Sequence, residues 1–489
     1  MKRLTIFFLL TTVSLAHAQV IPDETTDALL TGLDTAPFVE LALEADRIAG
    51  RFVDPAPLLG RFEELVTAVA PRVAQAQTPA AKLEVLAHFL YEEQGFARHD
   101  VVPADVFVAF HEVLEQKQWN CLGLVLLYMA LGERLDLPLK MVAGPGHVFI
   151  EYSSSPALYV ETTQRGRVYA GKGYVEQYLP FPCVKAADYR TLEKRGALAT
   201  TVSQMALAHQ ARDPQAARLL FEAGMKIDPT LAEPRAGLGF LYLVHRDLTV
   251  NPIPLFHEAI ALDPAFREAY AGLGTALHAT GELDGAIAAY RKLLGLCAGE
   301  SKALYNLAQL LSEKDLHGEA ADLLRRYVAL IPQDIDGHLS LALALEDAGA
   351  PEAAIAAYQQ ALKLDPTNVD AYINSGLIFE KSGDWTQAFH AYVNAMHYAP
   401  EHPLVIAGAG RHAGHIGNHA EAIMLLTRAT KRAPDNPDLW ADLAAALQQA
   451  NRPEEALKAY QQAITLDPAQ PEALKALQAG GGTARTDPK

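Results

Sequence analysis

The chain has 489 residues, half of them hydrophobic, and a formal net charge of −17. Single hydrophobic cores stop growing at about 250–300 residues, so a chain of this length is expected to contain more than one. The acidic balance, without a basic patch, argues against nucleic acid or an anionic membrane as the partner.

The chain begins with the three parts of a secretory signal peptide. Lys2 and Arg3 form a charged start, residues 4–15 an apolar run too short to span a membrane, and "AHA" a small-residue cleavage motif. Cleavage of residues 1–18 would leave Gln19 as the N-terminus and a net charge of −19. No later stretch is long and apolar enough to span a bilayer, and no Asn-x-Ser/Thr sequon occurs. We expect export, to a bacterial periplasm or outside the cell.

Residues 19–190 are predicted to form one α+β domain. Helical periodicity occurs in "DTAPFVELALEADRIAG", "APLLGRFEELVTAVAPRVAQA", "PAAKLEVLAHFLYEEQGF" and "VPADVFVAFHEVLEQ". An apolar helix follows from Cys121 to about Leu135. After Pro138 the pattern changes to strands, in "LKMVAG", "HVFIEYSS" and "LYVETT". Helices followed by strands are typical of the α+β class.

Three polar residues of this domain stand in an order that suits nucleophilic catalysis. Cys121 begins the apolar helix, His147 begins a strand behind "GPG", and Glu161 ends the next strand. A helix N-terminus stabilises a thiolate, a histidine can take the thiol proton, and a carboxylate can orient that histidine. The backbone N–H of Cys121, with the side chain of Gln118 or Asn120, is a candidate oxyanion hole.

These residues resemble the site of the transglutaminase-like family of papain-like cysteine enzymes. In that family a cysteine begins a helix that ends in a Leu-Gly-Ile-Pro-like turn, and the following strands supply a histidine and then an acid. The corresponding runs here are "RLDLPLKMVAG", "HVFIEY" and "VETT". The resemblance implies Cys121 as nucleophile, His147 as base and Glu161 as orienting acid, where the family usually has aspartate. "FLYEEQGF" and the C-terminal repeats are similar to a bacterial branch in which many members lack the cysteine.

The cysteines leave other interpretations open. Cys121 could be a small buried hydrophobe, or it could pair with Cys183 in an oxidising compartment. Cys297 ends a repeat helix and is expected to lie in the core.

No cofactor or metal site is predicted. The best candidate ligands have helical spacing, but glycines interrupt the helix and no acid or cysteine completes the set. These candidates are His412, His415 and His419.

A 34-residue repeat dominates the C-terminal half. Prolines recur at this spacing, at positions 332, 366, 400, 434 and 468. Small and large apolar residues alternate at helical spacing before each proline, and turns such as "HATGELDGA" and "EKSGDWTQA" separate paired helices. The pattern resembles the tetratricopeptide repeat, whose Trp-Leu-Gly-Tyr and Ala-aromatic-Ala-Pro signatures are both present. We predict an all-α solenoid of eight repeats over 198–470, a capping helix over 471–478 and a disordered tail over 479–489, so the protein is mostly α.

The resemblance implies a concave groove, lined by the first helix of each repeat, that binds peptides or helices. Its predicted groove-facing residues are Tyr305, Leu339, Leu343, Ile373 and Leu377. Glu346 and Glu380 stand beside them and make the groove mildly acidic. The Lys/Asn/Arg set with which chaperone-binding members hold a terminal carboxylate is missing. Alternatively, these side chains pack within the solenoid or against the other domain.

Two functions follow from these features. The first is a thiol hydrolase or acyl transferase that acts on peptide, isopeptide or amide bonds, with the repeats recruiting protein partners. The second is a non-catalytic scaffold or binding protein in the periplasm, with a degenerate transglutaminase-like domain. Reactivity of Cys121 as a thiolate separates the two functions, since only the enzyme needs it.

Overall fold

The structure is a computed structural model. It describes six ranges of the chain: 23–50, 54–98, 109–144, 147–171, 189–245 and 250–480. Several predicted features lie outside these ranges, namely the signal peptide, Pro145 and Gly146 of the turn before His147, Cys183, and the tail from residue 481. The chain divides into two compact units, residues 1–300 and 301–489.

The first unit begins with helices that precede the site-bearing part of the domain in the chain. The helices are α1 (Asp23–Gly32), α2 (Phe38–Ile48), α3 (Pro55–Gln75) and α4 (Pro79–His88). A π-helical turn, Phe89–Glu93, follows α4 directly. Asp54 and Thr78 accept hydrogen bonds from the first turns of α3 and α4, and a proline follows each of these caps. Capping side chains and first-turn prolines explain why these two helices begin where they do.

The site-bearing part combines two helices with a small sheet. Its elements are β1 (Ala97–Arg98), α5 (Phe110–Gln116), β2 (Gln118–Trp119), α6 (Cys121–Arg134), β3 (Leu139–Gly144), β4 (His147–Tyr152), β5 (Leu158–Glu161), β6 (Arg167–Ala170) and β7 (Arg190–Leu192). Five strands form an antiparallel sheet in the order β6-β5-β4-β3-β7, and β1 pairs with β2 in parallel. Ile150 pairs with Val160, which places the end of β5 beside the start of β4.

Three helix pairs complete the first unit. They are α7 (Lys194–His209) with α8 (Pro214–Ile227), α9 (Glu233–Val244) with α10 (Ile253–Leu262), and α11 (Arg267–Thr280) with α12 (Leu283–Leu296). One hydrophobic core runs from Leu29 through α6 and the sheet to Leu241, and α7 alone buries ten residues. The α+β part and the first repeats therefore share a core.

The second unit consists of five helix pairs and a last helix. They are α13 (Ser301–Glu313) with α14 (His317–Leu330), α15 (Ile335–Asp347) with α16 (Pro351–Leu364), α17 (Val369–Ser382) with α18 (Trp385–Tyr398), α19 (Pro403–His415) with α20 (His419–Arg432), α21 (Pro437–Gln449) with α22 (Pro453–Leu466), and α23 (Pro471–Gly480). The last helix ends two residues beyond the predicted capping helix. Within the described ranges, no helix combines the length and apolar character needed to cross a bilayer.

The turns between paired helices follow the predicted glycines. Gly281 ends α11 with φ of +82°, and Gly383 ends α17 with φ of +81°. Both glycines adopt the left-handed conformation that closes a helix, which a residue with a Cβ enters only with strain. The helix ends predicted from "HATGELDGA" and "EKSGDWTQA" therefore have a direct conformational cause.

Candidate functional site

Cys121 occupies the first position of helix α6. The preceding residue, Asn120, caps the helix, since its Oδ1 accepts a hydrogen bond from the Gly123 N–H at 2.8 Å. The cap fixes the start of the helix and leaves the thiol beside first-turn N–H groups that lack an intrahelical carbonyl. Cys121 is half-buried and is a free thiol. The alternative in which it pairs with Cys183 is therefore wrong.

His147 and Glu161 form a hydrogen-bonded pair where the start of β4 lies beside the end of β5. The distance between His147 Nε2 and Glu161 Oε2 is 2.8 Å, and the side chains are 9% and 0% exposed. The Cys121 side chain lies near enough to His147 to raise the pKa of its imidazole. Because Nε2 faces the carboxylate, Nδ1 is the ring nitrogen left for the thiol. The structure thus brings the three predicted residues together in the order thiol, imidazole, carboxylate.

The electrostatics of this group favour a protonated imidazole. Burial by itself lowers the pKa of His147, but the hydrogen bonds and charges of Cys121 and Glu161 outweigh burial and raise this pKa to about 9. Burial alone would likewise raise the pKa of Glu161, but His147 and the donors of Thr163 hold it below its usual range. At neutral pH the pair is therefore an imidazolium and a carboxylate.

Glu161 is held from its other side by the turn that follows β5. Its Oε1 accepts hydrogen bonds from the Thr163 N–H at 2.9 Å and from Thr163 Oγ1 at 2.6 Å. The Tyr91 hydroxyl donates to the Thr162 carbonyl oxygen at 2.8 Å. Burial raises the pKa of Tyr91, so this hydroxyl remains a donor at neutral pH. The turn behind the carboxylate is therefore fixed through both backbone and side chain.

A close-packed layer supports the same turn. Gly166 has φ of +71°, and a Cβ at this position would lie 2.7 to 2.9 Å from atoms of Ala87, Tyr128 and Tyr91. A larger residue at 166 would displace these rings, which lie behind Glu161.

Comparison with family models identifies both parts of the chain. The model for the transglutaminase-like superfamily matches residues 57–179, which include Cys121, His147 and Glu161. Three tetratricopeptide repeat models match residues 253–301, 347–383 and 417–480. The chain has a transglutaminase-like domain followed by tetratricopeptide repeats. The predicted family and the fold class, α+β followed by an all-α solenoid, are confirmed.

Several solved structures are similar to part of the chain. YrrB, a tetratricopeptide repeat protein with an unusual peptide-binding site, is 20% identical over 46% of this chain and 97% of its own, with a TM-score of 0.29. PilW, a type IV pilus biogenesis factor, is 16% identical over 43% and 98%, with a TM-score of 0.37. PilF of Pseudomonas aeruginosa is 20% identical over 42% and 93%, with a TM-score of 0.33. No curated protein matches the chain. The family models alone carry the assignment.

Of the two predicted oxyanion-hole side chains, only that of Asn120 lies in the described part of the molecule. Asn120 uses its Oδ1 to cap helix α6, which leaves only its amide N–H groups as donors. The side chain of Gln118 lies outside the described part of the molecule. The backbone N–H of Cys121 remains at the start of the helix, where an oxyanion would form.

The predicted groove residues of the repeats fall into two classes. Leu343 is 48% exposed, and three others are half-buried, namely Tyr305, Leu339 and Leu377. Ile373 is only 3% exposed, because it packs in a cluster with Ala395 and Val405. The prediction that Ile373 faces an open groove is therefore wrong: its face of α17 is covered by neighbouring helices.

A charged cluster that the sequence reasoning missed lies among the later repeats. Arg411 contacts Glu380 with Nε, at 3.0 Å from Oε2, and Asp442 with Nη1, at 2.7 Å from Oδ2. Its Nη2 donates to the Tyr392 hydroxyl at 3.1 Å. Arg411 follows Leu377 by 34 residues, so the two residues occupy equivalent positions in successive repeats. A comparison of equivalent positions could therefore have found a cation where the preceding repeat has a leucine.

Two further predictions concern Cys297 and metal binding. Cys297 is 1% exposed and disulfide-bonded, so it is buried as predicted but not as a thiol. Two of the predicted weak ligands stack on aromatic rings at 4.2 Å, His412 on Phe389 and His415 on Trp385. Among the described residues, no group of three or more His, Cys, Asp or Glu side chains could hold a metal ion.

Thr163 was also missed by the sequence reasoning. The signal was present in "VETT", since a threonine two residues after an acid commonly donates to it in a tight turn. Only the structure shows that this donation is aimed at the carboxylate that faces His147.

Proposed function

We propose that the protein is exported and that its transglutaminase-like domain is a thiol hydrolase or acyl transferase acting on peptide, isopeptide or amide bonds. The repeats would recruit the protein partners. The single observation that carries this proposal is the Cys121–His147–Glu161 group, in which a free thiol at a helix N-terminus lies near a cationic imidazole that is fixed by a buried carboxylate. A cationic donor beside a thiol and a helix N-terminus both favour the thiolate, the form that attacks carbonyl carbon.

This geometry supports the following reaction. The Cys121 thiolate attacks the carbonyl carbon, and the carbonyl electrons move to oxygen, which the Cys121 N–H stabilises. His147 donates its proton to the leaving nitrogen, the C–N bond breaks, and a thioester remains. His147 then takes a proton from water or a second amine, which attacks the thioester. The C–S bond breaks, and an acid or a new amide leaves as the thiolate returns.

Glu161 does not exchange protons in this scheme. Its carboxylate accepts a hydrogen bond from His147 Nε2, which holds Nδ1 toward the thiol and stabilises the imidazolium. Because its pKa lies below the usual range, Glu161 stays ionised while His147 cycles.

Export is supported by two features. The first is the signal-peptide pattern of residues 1–18. The second is the disulfide-bonded state of Cys297, which suits an oxidising compartment rather than the cytosol.

An activated ester tests the catalytic proposal. With p-nitrophenyl acetate, the wild-type protein should release p-nitrophenolate in a burst and gain one acetyl group on Cys121, located by peptide mass spectrometry. Cys121→Ala should show neither the burst nor the mass gain. A wild-type protein that reacts no faster than a free thiol peptide at pH 7 would contradict the proposal.

The groove proposal has its own test. Glutamate at two partly exposed groove positions, Leu343→Glu with Leu377→Glu, should reduce recovery of bound proteins by about tenfold or more, because a buried charge opposes apolar contact. Capture from an extract of the source cells, followed by mass spectrometry, measures the recovery. The matched control is Leu330→Glu, which changes a leucine 51% exposed on α14, the second helix of its pair. Equal recovery by the double variant and the control would contradict a groove at this face.

A further inference from the structure

The two oxygens of Glu161 have separate tasks. Oε2 lies 2.8 Å from His147 Nε2, and Oε1 accepts both the N–H and the Oγ1 of Thr163. Glu161 is also the N-cap of the short 3-10 helix Thr162–Gln164. One side chain thus joins the end of β5, the following turn and the imidazole.

A glutamate in this position needs such an anchor. It has one more methylene and one more rotatable bond than the aspartate usual in the family, so an unanchored carboxylate samples more positions. The Thr163 Oγ1 bond, at 2.6 Å to a charged acceptor, is of the short and strong kind. Fixing Oε1 leaves the carboxylate plane little freedom and directs Oε2 at His147.

We propose that Thr163 is a positioning residue of the catalytic site: its hydroxyl holds Glu161 Oε1 so that Oε2 keeps His147 Nε2 occupied and Nδ1 directed at Cys121. This inference rests on the proposed function, since it assigns a role within the same site. Thr163 acts through Glu161 and does not itself contact the reacting atoms.

The surroundings of the turn distinguish Thr163 from its neighbour. Thr162 is fully buried, and its Oγ1 has no hydrogen-bond partner among the described residues. Its carbonyl oxygen, by contrast, accepts the Tyr91 hydroxyl. The titratable groups that face the His147–Glu161 pair are Cys121 and Tyr91. The two adjacent threonines therefore have the same chemistry, and only one donates its hydroxyl to the carboxylate.

This difference gives the test a matched control. Thr163→Val removes the hydroxyl bond with little change in shape, Thr163→Ser retains a hydroxyl, and Thr162→Val makes the same change one residue away. NMR titration of the His147 ring in the full chain, assigned with His147→Gln, gives the first readout. The pH profile of Cys121 alkylation gives the second.

The expected results separate positioning from general stability. Thr163→Val should lower the His147 titration midpoint by about 0.5 to 1 pH unit and slow alkylation at pH 7 by about three- to tenfold. Thr163→Ser and Thr162→Val should keep the wild-type midpoint. If Thr163→Val does not fold, Thr163→Ala against Thr163→Ser makes the same comparison.

An equal midpoint in Thr163→Val and Thr162→Val would overturn the assignment. Failure of the proposed function looks different, because the titration needs no substrate. Suppose that the ester does not acylate the protein, but that the His147 midpoint falls only in Thr163→Val. The positioning role of Thr163 would then stand, and the proposed catalytic function would be wrong.

Discussion

Replacing His147 with glutamine should slow the alkylation of Cys121 at pH 6–7 by about 10- to 100-fold. In the wild-type protein the imidazole is cationic at this pH, because its pKa is raised to about 9. Its positive charge near the thiol therefore stabilises the thiolate, the only form that alkylates rapidly. Glutamine preserves a polar side chain but carries no charge, so the thiol should react as slowly as an ordinary cysteine.

The direction of the pH effect follows from the raised pKa of His147. Below pH 9 the ring is protonated and supports the thiolate, and above it the ring is neutral and the support is lost. The rate difference between wild type and His147→Gln should therefore be large near pH 6–7 and disappear as pH rises through about 9. A difference that grew with pH would mean that a neutral imidazole acts as the base from the start.

The measurement is direct because Cys121 is a free thiol and Cys297 is disulfide-bonded. Alkylation with iodoacetamide across pH 5–10, read by peptide mass spectrometry without reduction, follows Cys121, whereas Cys297 should label only after reduction. His88→Gln is the matched control, since His88 is 66% exposed in the same domain. Superimposable profiles for wild type and both variants would show that Cys121 serves only for packing.

Replacing Arg411 with leucine should destabilise the repeats by about 2–4 kcal/mol. Arg411 neutralises Glu380 and Asp442, whose side chains are 11% and 26% exposed. Burial raises the pKa of both acids, and the charge of Arg411 opposes that rise. Without Arg411 the two carboxylates would be left close together and poorly solvated, which costs more than the loss of the contacts themselves.

The pH dependence of the Arg411 variant has a defined sign. An acid with a raised pKa binds its proton more tightly in the folded than in the unfolded state, so the folded state loses stability as pH rises through the raised pKa. Removal of Arg411 removes the charge that lowers the pKa of Glu380 and Asp442. The destabilisation should therefore be largest at neutral pH and become smaller toward pH 4–5.

Tryptophan fluorescence of the full chain can follow this unfolding, because two of the three tryptophans, Trp385 and Trp440, lie in α18 and α21 of the same repeats. The control Arg428→Leu removes an arginine that is 46% exposed and pairs with Glu401, and should cost about 1 kcal/mol or less. The triple replacement Glu380→Gln, Arg411→Leu, Asp442→Asn should recover most of the lost stability. Equal melting of the Arg411 and Arg428 variants would show that the cluster contributes no more than a surface pair.

The sequence by itself determined the features that depend on local pattern. The 34-residue spacing and the glycine-punctuated turns determined the helix pairs, because apolar periodicity and left-handed caps act within one repeat. The order of Cys121, His147 and Glu161 determined the candidate site in the same way, since a helix N-terminus and two strand ends are local features. Family models matched the two kinds of domain that these patterns indicated.

Tertiary structure alone decided which side chains meet across the chain. It buried Ile373 against Val405, paired Arg411 with carboxylates from two other repeats, and left Cys121 as a free thiol. It also extended one hydrophobic core from the α+β part into the first repeats. Burial and ion pairing depend on which helices and strands become neighbours. Residues far apart in sequence supply the hydrogen bonds and charges that raise the pKa of His147 and hold Glu161 ionised against the effect of burial, so periodicity within one segment could not reveal them.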